Sequence, residues 1–461
     1  MRPHPSIAFQ RSPLLLSRLV SLAIMTLQIE KLTALQVLDS RGNPTLEVQA
    51  VLSDGTSAQA MVPSGASTGK HEALELRDGE EGGYGGRSVL RACAHVEGAI
   101  AAELKGLSAE SQEAIDERLI ALDGVPGKSR LGANAILGVS TAVARAVAQS
   151  RRQPLWEYLQ GERQAAMPVP MINILSGGIH AGKQIEFQDF LIVPHGFDRF
   201  ADALEAAVQV HRQAGGLLRV DGFVLTGVAD EGGWGPLLSS HQQALDYLMR
   251  AIEAAGYEPG EEISFALDVA ASHFHSDGVY ELRSERRKLT SGEMGDLLEG
   301  WVNRYPILSI EDALAEDDWE GWQQLTGRLG RRCLLVGDDL FVTNSERLER
   351  GIGSGAANAV LVKMNQIGTL TETLRVVDRA GEAGYAAVIS ARSGETEDDF
   401  LSDLAVASGS GQIKVGSITR SERLAKYNRL LRIEASEAAR DGRVRSFRAT
   451  SEQLFSKYWK T

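Results

Sequence analysis

The sequence predicts an α/β protein in two parts, a small α+β domain followed by a (β/α)₈ barrel. Three observations carry that expectation. From Leu27 to about Asp54 apolar and polar residues alternate and break at turn residues, the pattern of a β-meander. Residues 88–160 are alanine-rich and helical in period. From MPVPMINIL (167–175) to about residue 430, short apolar strands alternate with helical stretches, which implies a β/α architecture. The 461 residues suffice for about two domains, with expected limits of 26–160 and 161–461.

Residues 1–25 stand apart as an extension that fits neither domain. They hold three arginines, several serines and no acid, since the first carboxylate is Glu30. That composition suits a transit peptide, whereas Arg18 interrupts the apolar run a secretory signal needs. The other reading is an upstream start codon, with Met25 the true initiator. Next comes the hydroxyl- and glycine-rich stretch VPSGASTGKHEALELRDG (62–79), which lacks P-loop spacing. TGVADEGGWGP (226–236) places Asp230 and Glu231 before paired glycines; alone, DEGG is as easily a turn.

The barrel strands are informative at their ends. ISFALD ends at Asp268, ILSIE at Glu311, LLVGD at Asp338, AVLVK at Lys363 and GQIK at Lys414, and AAVIS runs into Ala391, Arg392 and Ser393. Successive spacings are 43, 27, 25, 29 and 22 residues, about what a strand, a helix and two loops require. In a (β/α)₈ barrel these ends converge on one mouth. Three carboxylate groups from Asp268, Glu311 and Asp338 suit Mg²⁺ with positions left open for water and substrate. Each alone has a plainer reading as a helix N-cap or a surface charge. Arg392 and Ser393, beside the glycine of RSGET, suit a phosphate or carboxylate, and Lys414 a second anion contact. A lysine ending a buried strand can simply mark the exit into solvent. Among these neighbours Lys363 becomes a general base, its pKa lowered by nearby positive charge.

The net charge of −13 argues against nucleic acid or an anionic membrane as partner. No apolar stretch approaches the ~20 residues needed to span a bilayer. Cys93 and Cys333 lie far apart in no metal or redox pattern, which fits a reduced, cytoplasmic protein.

DSRGNPT (39–45), PSGASTG (63–69), DEGG (230–233), SIED (309–312), GDDLFVTN (337–344), KMNQIGTLTET (363–373) and RSGETED (392–398) closely resemble the enolases, in register and in order. The resemblance runs from about residue 27 to 434. It implies a modified barrel whose second strand and first helix run against the usual direction, and a homodimer or higher homo-oligomer. It also implies a small phosphorylated carboxylate as substrate and two Mg²⁺ per site, the second dependent on substrate. Carried over, Asp268, Glu311 and Asp338 match ligands of the first magnesium and Ser67 a ligand of the second. Lys363 matches the base, Glu231 the acid that assists hydroxyl departure, and His180 the histidine of a closing loop. Arg392 and Ser393 match the phosphate contacts and Lys414 the carboxylate contact.

The chain also departs from that pattern. Gln188-Asp189-Phe190 stands where the enolases have QEF, so the catalytic-pocket carboxylate of Asp189 is one methylene shorter. Ala391 in SARSGET replaces a pocket histidine, and Ser176 and Ile179 alter the loop beside His180. Three readings stay open. The chain is a phosphopyruvate hydratase interconverting 2-phosphoglycerate and phosphoenolpyruvate in glycolysis. Alternatively it is an enolase-like enzyme of phosphonate metabolism, resembling carboxyphosphonoenolpyruvate synthase. The third reading is a non-catalytic binding protein on the same fold. Because the recognised pattern begins near Leu27, a chain starting at Met25 is expected to match the full chain in thermal midpoint. A loss of more than a few degrees would show that residues 1–24 pack on the body.

Overall fold

The computed structural model describes residues 26–65, 69–80 and 82–458, so Ser67 and the first 25 residues lie outside the described set. The meander forms as expected. Strands β1 (Ile29–Leu38), β2 (Pro44–Leu52) and β3 (Ser57–Met61) pair antiparallel in order. Leu46, Val48, Ala50 and Leu52 alternate inward along β2 and meet the almost wholly buried helix Ala133–Ser150. Gly138 on that helix lies so close that an added Cβ would sit 2.6 Å from Val48 Cγ2.

The barrel strands are β4 (Val169–Ser176), β5 (Asp189–Pro194), β6 (Ile263–Asp268), β10 (Ile307–Glu311), β11 (Leu334–Gly337), β12 (Ala359–Val362), β13 (Ala386–Ser390) and β14 (Gln412–Gly416). They close in the order β4-β5-β6-β10-β11-β12-β13-β14, and a small sheet of β7 (His275–Ser276), β8 (Val279–Leu282) and β9 (Arg287–Leu289) follows β6. Every barrel pairing is parallel except those of β5, which runs antiparallel to β4 and β6. The expected reversal of the second strand is therefore present.

That reversal has two consequences for the mouth. Asp189 is the first residue of β5, yet it pairs with Ser176 at the end of β4 and Asp268 at the end of β6. A reversed strand finishes at the far rim, from which β6 must also start. The chain fills the gap with a return trip of two helices, Phe200–Val220 and His241–Ala254, whose connection comes back to the catalytic rim. Backbone bonds from Ser176 N to Trp234 O and from Ser417 N to Glu231 O fasten that connection there, each at 2.8 Å. Glu231 thus reaches the mouth from outside the strand series.

One expectation about the strands needs correction. GQIK does not end at Lys414: β14 continues through Val415 and Gly416, and Lys414 sits at mid-strand. Its side chain enters the barrel by the two-residue alternation of a strand, not as a terminal group.

The two parts meet beside the mouth. Ser64 and Gly394 exchange backbone hydrogen bonds of 2.7 and 3.0 Å, and Ser40 N donates to Glu395 O at 2.8 Å. A Cβ on Gly394 would lie 2.6 Å from Asp39 Oδ2 and from Ser64 O, so only glycine permits this approach. Arg145 of the long helix bonds Asp398 at 2.8 and 2.9 Å. The recognised stretches around residues 39–45, 63–65 and 392–398 are thus one interlocked structure.

Arg423 supports this loop from below. Fully buried, it donates to the carbonyls of Arg392 (2.6 Å), Val415 (2.9 Å) and Ser393 (2.7 Å). Arg423→Leu strands those carbonyls in a dry interior. The expected cost is about 3 kcal/mol of unfolding free energy by denaturant titration; an unchanged midpoint would show that the carbonyls find other partners.

Candidate active site at the barrel mouth

Three carboxylates stand at neighbouring strand ends. Asp268 and Glu311 pair across β6 and β10, and Asp338 follows β11 two residues beyond Val336, the partner of Glu311. All three are buried. Lys414 Nζ lies between Asp268 Oδ2 (2.7 Å) and Glu311 Oε2 (2.6 Å), and Lys363 Nζ contacts Asp338 Oδ2. The amide-rich turn behind Lys363 serves this cluster: Gln366 Nε2 donates to Asp338 Oδ1 at 2.9 Å, and Asn365 Oδ1 accepts from Arg392 at 2.9 Å.

These contacts reverse one expected sign. The pKa of Lys363 is raised in this structure: burial opposes the charged form, but the Asp338 carboxylate more than compensates. Lys414, held by Asp268 and Glu311, is raised well above the usual lysine value against the same opposition of burial. The lowering expected from positive neighbours is outweighed because carboxylates stand closer.

The balance of charge around the mouth bears on what it can hold. Its lining includes the carboxylates of Glu72, Glu231, Asp268, Asp312, Asp338 and Asp339, against Lys363, Arg392 and Lys414. A cation arriving with an anionic substrate would meet carboxylate oxygens there. The donor set, hard carboxylate oxygens on a rigid rim, fits magnesium. Among the described residues, the histidine, cysteine and carboxylate side chains with ligand atoms within 4.8 Å of one another form two groups of three, Asp312–Asp338–Asp339 and His180–Asp189–Glu231. Asp268 and Glu311 are instead gathered through Lys414.

The expected phosphate contacts are also engaged. Arg392, buried, makes a two-pronged contact with Glu72, Nη1 to Oε2 at 3.0 Å and Nη2 to Oε1 at 3.2 Å. Ser393 Oγ accepts from Arg41 at 3.4 Å, and Arg392 and Ser393 both line the mouth. An incoming phosphate must compete with Glu72 for Arg392.

The opposite wall is built from β4, β5 and the returning connection. In the closed order β5 lies four strands from β12 in either direction, so Lys363 faces it across the barrel, while Asp268 on the neighbouring β6 adjoins it. His180 Nδ1 is 3.0 Å from Asp189 Oδ2, and His180 Nε2 is 3.9 Å from Glu231 Oε1. Burial opposes protonation of His180, but Asp189 and Glu231 on either side raise its pKa to about 9. Gln188 Nε2 donates to Asp268 Oδ2 at 3.1 Å. His180, Gln188, Glu231 and Ala391 line the mouth.

Several contributors escaped the sequence reading. Asp312, in the quoted SIED, accepts the backbone N–H groups of Asp338 and Asp339 at 2.9 Å each and so aims their side chains. It does so from a left-handed backbone with φ of 43°, which strains any residue but glycine. Its position as an acid doublet with Glu311 was the available signal. Glu72 and Asn173 carried none: Glu72 meets Arg392 from the other domain, and Asn173 donates to Asp189 on the reversed strand.

Two family models match the chain: the enolase N-terminal domain over residues 29–159 and the enolase C-terminal TIM barrel domain over residues 164–446. Together they cover both the meander with its helices and the closed barrel. The chain therefore belongs to the enolase family.

Proposed function

We propose that this protein is a phosphopyruvate hydratase that interconverts 2-phosphoglycerate and phosphoenolpyruvate. The observation that carries the reading is the opposition of Lys363, directly after β12, to the wall of His180 and Asp189 at β5, with Glu231 beside His180. Elimination of water needs a base on one face of the substrate and an acid at the departing hydroxyl, and this mouth offers both.

In this reading Arg392 and Ser393 take the phosphate and Lys414 the substrate carboxylate. Lys363 removes the proton beside that carboxylate, and the His180–Glu231 wall delivers a proton to the leaving hydroxyl. Asp268, Glu311 and Asp338 would hold magnesium, with Ser67 on the second ion. Bound there, the metal would take up the carboxylate charge that otherwise keeps Lys363 protonated, and would stabilise negative charge on the substrate, as in enolase-superfamily sites generally. The enclosing walls keep the reacting atoms aligned, which matters because ~1 Å of misplacement can cost on the order of 100-fold.

A second reading keeps the base and metal ligands but changes the substrate, as in enolase-like enzymes of phosphonate metabolism. It is favoured by Ala391, which lines the mouth with a methyl group where the enolases have a histidine. The discriminating experiment is exchange of the alpha proton of 2-phosphoglycerate in deuterated water with Mg²⁺ present. Wild-type exchange is expected, and Lys363→Ala should reduce it by ~10²–10⁴-fold, the scale of a positioned general base. Mutant exchange at the wild-type rate would remove Lys363 from the mechanism, and absence of wild-type exchange would favour a different substrate.

Asp338→Asn should act differently from Lys363→Ala. It removes charge from the proposed ion site, so the Mg²⁺ concentration for half-maximal rate should rise by ~10-fold or more, the range seen when metal surroundings are altered. An unaltered requirement would place the ion elsewhere.

A further inference from the structure

The shortened carboxylate of Asp189 does not face the substrate space. It is buried, and among the described residues it is absent from the lining of the mouth, whereas its neighbours His180, Gln188 and Glu231 line it. Both of its oxygens are engaged. Oδ1 accepts from Asn173 Nδ2 and from Ser176 Oγ at 2.9 Å, and Oδ2 faces His180 Nδ1 at 3.0 Å. Ser176, one of the residues that departs from the enolase pattern, is therefore part of the same departure as Asp189. A Cβ on Gly233 would lie 2.9 Å from both Asn173 Oδ1 and Ser176 Oγ, so DEGG closes tightly over this polar group.

We propose that Asp189 is a positioning residue: fixed by Asn173 and Ser176, it orients His180 so that Nδ1–H points at Asp189 and Nε2 points into the mouth beside Glu231. The inference rests on the hydratase reading for its chemistry and on geometry alone for its arrangement. A carboxylate that already accepts two hydrogen bonds on one oxygen leaves its other oxygen as an acceptor, so His180 Nδ1 must supply the proton. Nε2 then serves as the acid. In the forward reaction the C–O bond breaks, its electron pair stays on oxygen, and the oxygen takes the Nε2 proton and leaves as water. The imidazole becomes neutral and keeps its Nδ1 proton on Asp189. Glu231, 3.9 Å from Nε2, stands close enough to stabilise the charged ring before transfer. The arrangement follows the logic by which a buried aspartate holds a catalytic histidine in one tautomer.

Asp189→Asn tests this sharply. Asn173 and Ser176 donate toward one side of residue 189, so the new amide should keep its oxygen there and turn its NH₂ toward His180 Nδ1. That forces the opposite tautomer, with the proton on Nε2 and Nδ1 as acceptor. In ¹⁵N-labelled protein without substrate, the His180 ring (assigned by its loss in His180→Gln) should show a protonated Nδ1 in wild type and an unprotonated Nδ1 in Asp189→Asn. A wild-type Nδ1 without its proton overturns the proposal whether or not the variant folds.

The kinetic arm adds a readout that a purely structural role would not move. Asp189→Asn should lower kcat for phosphoenolpyruvate formation by ~10²–10⁴-fold with KM nearly unchanged, because a neutral ring protonated on Nε2 alone is a far weaker acid than the imidazolium that Asp189 holds. Alpha-proton exchange, which belongs to Lys363, should persist. Ser176→Ala should lower kcat by a few-fold in the same direction. A raised KM with kcat intact would make Asp189 a substrate contact and overturn the proposal, as would joint loss of exchange and dehydration. Failure of wild type to turn over 2-phosphoglycerate would count against the hydratase reading, while the ring spectrum still decides the role of Asp189.

Discussion

Six carboxylates face two lysines, one arginine and His180 around a buried rim, and much of the local structure answers that crowding of charge. Charges removed from water are costly unless paired. Lys414 therefore lies between Asp268 and Glu311, Lys363 on Asp338, and Arg392 on Glu72. Asp312 settles its own charge on two backbone N–H groups and thereby orients Asp338 and Asp339. Burial, with Asp339 and Asp338 close by, still pushes the Asp312 carboxyl well above the ordinary range. Such a rim offers hard oxygen ligands to a cation that accompanies an anion.

The reversed strand β5 supplies the other half of the site. Were it parallel, Asp189 would open at the far rim and the chain would return through one helix. Because it is antiparallel, its first residues and the connection between two helices both reach the catalytic rim. Glu231, His180 and Asp189 come together only through that detour. The N-terminal part then seals the edge, with Arg145 on Asp398 and Ser64 paired to Gly394. The same contacts hold the loop that carries Arg392 and Ser393.

Much of the carboxylate wall was legible in the sequence because physics marks it locally. An apolar run ending in Asp268, Glu311 or Lys363 is a buried strand reaching a polar rim, and the spacing gives the repeat. Lys414 misled as to strand length because a mid-strand inward lysine looks like a terminus when the following Val415 and Gly416 are short. Gln188 and Asp189 could be placed only by resemblance, since a reversed strand presents its functional groups at its start. The Arg392–Glu72 contact spans 320 residues and leaves no local trace. Nor does the sequence of Asp189 say which way a shorter carboxylate turns; Asn173 and Ser176 decide that in three dimensions.

The central claim is that this mouth performs metal-dependent dehydration despite a carboxylate withdrawn onto His180 and a histidine replaced by Ala391. No helix among the described residues is long and apolar enough to cross a membrane. The most direct measurement follows the absorbance of phosphoenolpyruvate as it forms from 2-phosphoglycerate, with Mg²⁺ and then with chelator. The account predicts steady formation that requires the metal. Proton exchange with no phosphoenolpyruvate formed, or formation indifferent to chelator, would contradict it.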